Sequence, residues 1–141
     1  MLKKDPEKNV QHMYDNDAFS KWLGIKILEV NEGYVKLEMK VRSEMTNGFD
    51  IAHGGIAFSL ADSALAFAAG TYGRISPALN NTISFIKPVA AGDRITAIAE
   101  QLHLGRQTGV YNITIRNQNN KIVAVMRGTV FRTERKLDGE I

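Results

Sequence analysis

Between residues 54 and 73 the alternation of polar and apolar positions that marks most of this chain disappears. Gly54-Gly55-Ile56-Ala57-Phe58-Ser59-Leu60-Ala61 leads into an Ala-rich run that carries only two ionisable side chains, Asp62 and Tyr72. Ala and Leu are strong helix formers, and a helix apolar on every face lies either in a core or across a membrane. A span needs about 20 apolar residues, whereas this run is shorter and is interrupted by a carboxylate. The pattern therefore predicts a central helix over about 54–72, enclosed by the rest of the fold.

Elsewhere a two-residue period dominates. Val35, Leu37, Met39 and Val41 alternate with Lys36, Glu38, Lys40 and Arg42, the signature of a half-buried strand. Strands are expected at 25–31 and 34–42, joined by the turn Asn31-Glu32-Gly33, and again at about 78–87, 94–103, 108–117 and 121–132. Pro88 and Gly92-Asp93 separate the first two of the later four. Tyr111, Ile113 and Ile115 alternate with polar neighbours, and residues 117–120 form a polar hairpin tip. Upstream, a helix is expected over about 6–22. Asp5 would cap it, Pro6 suits its first turn, and Gly24 would end it. Val10, Met13, Tyr14, Phe19 and Trp22 would form its apolar side. Residues 43–53 read as a loop, and the charged last eight residues are expected to fray.

One long apolar helix combined with strands joined mostly by short turns defines an α+β architecture: a curved antiparallel sheet of about six strands wrapped around the helix. At 141 residues the chain reads as a single domain over 1–141. It contains no cysteine, which excludes disulfides, thiolate nucleophiles and cysteine metal sites and fits a cytoplasmic protein. The formal charge of +3 is mild, and no dense basic stripe suggests a nucleic-acid partner. Met1 to Glu7 lead into no apolar export signal. His12, His53 and His103 show no metal-ligand spacing, so neither a metal nor a nucleic-acid or membrane partner is expected.

Asp62 is the position that demands a chemical reason. Leaving a carboxylate buried and unpaired costs several kcal/mol or raises its pKa. Either it meets the surface or a cation, or it faces a ligand as base or nucleophile. Just upstream, Asn47 is followed six residues later by His53-Gly54-Gly55, with Asp62 nine residues after the histidine. Together with Leu60-Ala61-Asp62-Ser63-Ala64, Ile83-Ser84-Phe85-Ile86-Lys87-Pro88 and Gly128-Thr129-Val130-Phe131, this pattern resembles the hotdog-fold acyl-CoA thioesterases of the PaaI (phenylacetic acid degradation) type, over about residues 20–133.

The resemblance implies thioester hydrolysis, with Asp62 as general base or nucleophile, the Gly54 N–H as oxyanion donor, and Asn47 as a second donor or water-orienting group. His53 would support the carbonyl site. Gly54 and Gly55, lacking side chains, would let a ligand approach the backbone. No cofactor is implied, because coenzyme A belongs to the substrate. Asp62 lies eight residues beyond Gly54, roughly 12 Å along one helix, too far for both to serve one reacting centre. Two chains would satisfy that geometry, as in hotdog enzymes, so a homodimer with shared sites is expected, with a dimer of dimers as a further step.

A Ser or Thr that holds the acid in this family aligns near Ala78, which lacks a hydroxyl. Asn80, Asn81 or Thr82 would take that role. Arg106 and Gln107, in a turn resembling the family's phosphate-contacting turn, join Lys87 and Arg94 as candidates for the coenzyme phosphates. Phe49, Phe58 and Tyr72 would shape the acyl pocket. Aryl-acetyl groups such as phenylacetyl or hydroxyphenylacetyl are the expected substrates. The alternatives are medium-chain acyl-CoA or a binding module that holds acyl-CoA without turnover. A Ser59/Ser63, His53 and Asp62 triad is disfavoured because no nucleophile elbow is present.

Overall fold

The computed structural model describes residues 5–139. Two short helices, α1 (Pro6–Asp15) and α2 (Ala18–Leu23), precede a hairpin of β1 (Lys26–Asn31) and β2 (Tyr34–Lys40). After a single 3-10 turn, Ser43–Met45, comes the long helix α3 (Gly54–Gly70). The strands β3 (Ala78–Phe85), β4 (Arg94–Leu104), β5 (Thr108–Arg116) and β6 (Ile122–Phe131) complete the chain. The six strands form one sheet in the order β1-β2-β4-β5-β6-β3, every pair antiparallel. β1 and β3 are its edges. The expected α+β architecture is thus observed, with α3 packed across β2, β4, β5 and β6.

Period-two burial explains the wrapping. Val35, Leu37, Met39, Ile95, Ala97, Ala99, Tyr111, Ile113 and Ile115 all point to one face and are buried there. Against them lie Leu60, Ala61, Ala64, Leu65, Phe67 and Ala68 of α3. Small residues let the helix lie close to the sheet. At Gly128 of β6 a Cβ would stand 2.7 Å from Leu65 Cδ2 and 2.9 Å from Asn81 Oδ1, so any side chain at this crossing forces Leu65 or Asn81 to shift. Beyond the C-terminus of α3, Thr71 ties three elements together. Its carbonyl accepts from Asn9 Nδ2 (2.9 Å), and its hydroxyl accepts from Gly33 N–H (2.8 Å).

Several expectations change. The helix expected over 6–22 breaks at Asn16-Asp17, because both side chains bond locally rather than supporting a continuous helix. Asn16 Nδ2 donates to the carbonyl of His12, and Asp17 caps α2 by accepting from Ser20 N–H at 2.9 Å. The break re-aims the second segment. Ser20 and Leu23 are buried, while Phe19 and Trp22 stack on each other at 5.9 Å and remain about half exposed. Arg42 lies 4.9 Å above the Trp22 ring.

The central helix ends at Gly70, two residues earlier than expected, and Thr71 caps it. The tail does not fray as far as Leu137. Leu137 N–H donates to Gly73, Ile75 N–H donates to Arg135, and Arg74 bridges Lys136. Residues 140–141 of that tail lie outside the described residues, as do residues 1–4 of the N-terminal segment read for an export signal.

Gly128→Ala is expected to lower folding stability by about 1–3 kcal/mol, the usual cost of overpacking, measured by urea denaturation. Gly48→Ala, where a Cβ meets nothing within 4 Å, serves as the contrast.

Candidate active site

Residues 46–53 form a tight loop that delivers Asn47 to the N-terminus of α3. Asn47 Oδ1 accepts from the N–H groups of Phe49 (2.8 Å) and Ile51 (3.4 Å), and the Asn47 N–H donates to the Ile51 carbonyl at 2.7 Å. Asp50 completes the turn at φ 63°, a left-handed conformation that Asp tolerates. Because the loop engages only the oxygen of the carboxamide, the Asn47 Nδ2 group has no hydrogen-bond partner among the described residues.

His53 is the N-cap of α3. Its Nδ1 accepts from Gly55 N–H at 2.9 Å, which places the proton of the neutral ring on Nε2. Two expectations are sharpened by this contact. The Gly55 N–H is occupied by His53 and is not free for a ligand. The Gly54 N–H makes no hydrogen bond among the described residues and stands at the positive end of the helix.

The Gly54 N–H opens into a cleft of about 320 Å³. Asn47, His53, Gly54 and Lys87 supply its polar rim, while Ile51, Ile56, Phe85, Ile86, Val89 and Val123 are among its apolar walls. These wall residues were not singled out in the sequence. They come from the loop, α3, β3, β6 and the segment after β3, so no single local pattern marks them as one wall.

Asp62 lies elsewhere. It is half-buried and lines a smaller cavity of about 110 Å³ with Leu65, Ala66, Ser76, Pro77, Ala78 and Val130. Among the described residues no cation pairs with it. Asn81 Nδ2 donates to its Oδ1 at 3.1 Å, so Asn81, not Asn80 or Thr82, is the polar partner β3 offers. Asn80 is exposed and accepts a long 3.5 Å bond from Thr82. The helix carries Asp62 and the Gly54 N–H to two different cavities of one chain.

The serine-triad geometry is absent. Ser59 Oγ donates to the Gly55 carbonyl at 2.6 Å, and Ser63 Oγ lies 2.8 Å from Ser20 Oγ. Since the Ser20 hydroxyl already donates to Asp17 Oδ2, Ser63 is the donor to Ser20. Asp17, Ser20 and Ser63 thus pin α2 to α3 beside Asp62, a buried contact that escaped the sequence because Ser and Asp carry no burial signal.

The remaining candidates divide between the Gly54 cleft and the Asp62 end of the sheet. Lys87 lines the Gly54 cleft. Arg106 and Gln107 sit in the exposed β4–β5 turn, where their carbonyls accept from Arg74 Nη2 (3.4 Å) and Arg132 N–H (2.7 Å). Gly109 pairs with Val130, a wall of the Asp62 cavity, so that turn belongs to the Asp62 end of the sheet.

Arg94 is engaged by Glu38 at 3.0 Å, outside both cavities. Phe49 is 87% exposed and lines neither cavity. Phe58 packs against the core. Tyr72 lies beyond the opposite end of α3 and donates to Gln101 Oε1 at 2.5 Å beneath Arg132, so it shapes no pocket at Gly54. Burial, with Glu32 nearby, raises the Tyr72 pKa, and the hydroxyl remains a neutral donor.

The fold and this loop–helix junction define a class. Residues 49–124 match the thioesterase superfamily, and the chain belongs to that family. Within it the chain is of the PaaI type. It is 45% identical over 133 residues to the acyl-coenzyme A thioesterase PaaI of Escherichia coli K12, covering 94% of this chain and 95% of that protein. The structure of E. coli PaaI, from the phenylacetic acid degradation operon, superposes with a TM-score of 0.92 at 43% identity, covering 96% of this chain and 99% of that one. A putative esterase of Archaeoglobus fulgidus is 39% identical over 89% of this chain and 82% of its own length. A hypothetical thioesterase of Streptococcus pneumoniae, solved with coenzyme A, superposes with a TM-score of 0.75 at 29% identity, covering 77% of this chain and 88% of that one.

His53→Ala removes the N-cap acceptor and is expected to lower stability by about 1 kcal/mol, with His53→Asn restoring most of it. Thermal unfolding of both variants beside wild type measures the difference.

Proposed function

We propose that this chain hydrolyses acyl-CoA thioesters to a free acid and coenzyme A, with an aryl-acetyl group such as phenylacetyl or hydroxyphenylacetyl as the preferred acyl part. The observation that carries the reading is the unpartnered Gly54 N–H at the mouth of an apolar cleft, with the free amide of Asn47 on the same rim. Hydrolysis of a thioester develops negative charge on the carbonyl oxygen. A helix N-terminal N–H and a carboxamide NH₂, already held in place, stabilise that charge without reorganising. One such donor is typically worth about 3–4 kcal/mol in the transition state. The aryl choice is supported by the similarity to a protein of a phenylacetic acid degradation operon.

Attack on the carbonyl falls to Asp62, either by activating water or by adding directly to the carbon. The acid sits roughly 12 Å along α3 from Gly54, so the reading includes a second copy of the chain. β3 provides the means. It is an edge strand with open backbone groups, and Leu79, Phe85 and Ile86 on or beside it are more than half exposed. It starts beside the Asp62 cavity at Ala78 and ends in the Gly54 cleft at Phe85. Antiparallel pairing of two β3 strands about a twofold axis would set the start of one beside the end of the other. Each Asp62 would then face the partner subunit's oxyanion donors, and each Arg106 turn would approach the partner's cleft, where Lys87 supplies further positive charge for the coenzyme phosphates. The reading places the enzyme in the cytoplasm, consistent with the absence of cysteine. Among the described residues no helix is long and apolar enough to cross a membrane.

Asp62→Ala is expected to lower kcat for phenylacetyl-CoA at least about 100-fold, the scale of general acid–base catalysis. Asn81→Ala, which removes a hydrogen bond to a charged group, should cost roughly tenfold or more. Thiol release followed with a thiol-reactive dye measures both, with no background from a protein that lacks cysteine. An Asp62→Ala enzyme with most of its activity would remove Asp62 from the mechanism. Acyl-CoA binding without any turnover by wild type would leave a binding module.

A further inference from the structure

The ring of Phe85 lies against the part of the site that substrate has to reach. A Cβ built on Gly54 would stand 3.3 Å from Phe85 Cζ and 3.4 Å from its Cε1, so the edge of the ring rests on the first residue of α3. Phe85 lines the same cleft as Asn47, His53 and Gly54. It is no core residue, being 56% exposed at the end of β3. Its backbone, in contrast, is fixed. Phe85 pairs with Ala124, and the N–H groups of Ile86 and Lys87 both donate to the Val123 carbonyl, at 2.8 and 3.2 Å. With the backbone anchored, rotation about the side-chain bonds is the way the ring makes room in the cleft.

We propose that Phe85 sets the acyl preference of this enzyme, its ring lying against Gly54 when the cleft is empty and packing against an aryl acyl group when the cleft is filled; this rests on the thioesterase reading above. A thioester oxygen has to come within about 3 Å of the Gly54 N–H, and the Phe85 ring rests on that same residue in the same cleft. Moving the ring aside costs the same for every substrate. What the moved ring regains depends on the acyl group. An aromatic acyl group can meet it in offset or edge-to-face geometry and gain a contact beyond simple area burial. A straight alkyl chain gains area alone. The other apolar walls, Ile51, Ile56, Ile86, Val89, Ile95 and Val123, are aliphatic and offer no such distinction. Within this chain's share of the cleft, Phe85 is therefore the side chain that can tell an aryl group from an alkyl group of similar size.

The test compares kcat/KM for phenylacetyl-CoA and hexanoyl-CoA in wild type, Phe85→Leu and Phe85→Tyr. Phe85→Leu is expected to lower the phenylacetyl-to-hexanoyl ratio roughly two- to tenfold, the span of measured aromatic pair contacts, while Phe85→Tyr holds the ratio. Should Phe85→Leu fail to fold by circular dichroism, Phe85→Met is read in its place, and the same drop is required. A ratio unchanged in the folded aliphatic variant overturns the proposal and leaves the thioesterase reading intact. Loss of activity toward both substrates in equal measure overturns it as well, because the ring would then serve catalysis rather than choice. Wild type hydrolysing neither thioester overturns both readings at once.

Discussion

Helix α3 is a rigid rod that carries two chemical groups to different places. Its first N–H, at Gly54, points into one cleft, and its only carboxylate, Asp62, opens into another cavity eight residues further along. The helix cannot bend to bring them together, because residues along its whole length are buried against the sheet. Leu60 and Ala61, between the two groups, and Ala64 and Leu65, just beyond Asp62, are essentially without solvent exposure. The rise of the α-helix therefore becomes a constraint on function. If both groups act on one thioester, they act from two copies of the chain, and the sheet edge formed by β3 is the element that links the two ends.

Around this rod the polar groups fall into two kinds. Some hold the rod still. Thr71, Asn9 and the Gly33 turn close its C-terminal end, and Asp17, Ser20 and Ser63 tie α2 to its middle. Others are held still themselves and leave one function free. Asn47 bonds the loop through its oxygen and keeps its NH₂ available. His53 accepts from Gly55, which leaves the Gly54 N–H as the open donor. Asn81 donates to Asp62 without supplying a positive charge, so the carboxylate is oriented but not neutralised. In each case the geometry is prepared before substrate arrives, which is the condition under which electrostatic stabilisation is large.

The strands were legible because burial on one face imposes a two-residue period. Val35, Leu37 and Met39, and again Tyr111, Ile113 and Ile115, are buried as that period requires. The central helix was legible because its composition excludes any exposed setting. The break at Asn16-Asp17 was not read, although Asn and Asp favour helix ends. The aromatic residues Phe19 and Trp22 suggested a continuous apolar face where tertiary packing chose Ser20 and Leu23. At the site, Asn47, His53, Gly54 and Asp62 stood out through their spacing. Asn81 could not be singled out from Asn80 and Thr82, since a bulge between Ala78 and Asn80 sets which residue faces Asp62. Phe85 read as an ordinary strand residue, and its place over Gly54 depends on a long-range approach that no local pattern encodes.

The central claim, that one catalytic site needs two copies of the chain, is tested most directly by subunit mixing. Asn47→Asp keeps the oxygen acceptor of the loop while removing the NH₂ donor, and Asp62→Ala removes the carboxylate. Each variant alone is expected to be nearly inactive. Unfolded together and refolded as a mixture, they form mixed dimers in which one of the two sites is wholly native. Activity toward phenylacetyl-CoA should then rise to about a quarter of the wild-type value for random pairing in a twofold dimer. Activity that stays at the level of the separate variants, with mixed dimers demonstrated by mass spectrometry, would contradict a shared site and place the whole reaction within a single chain.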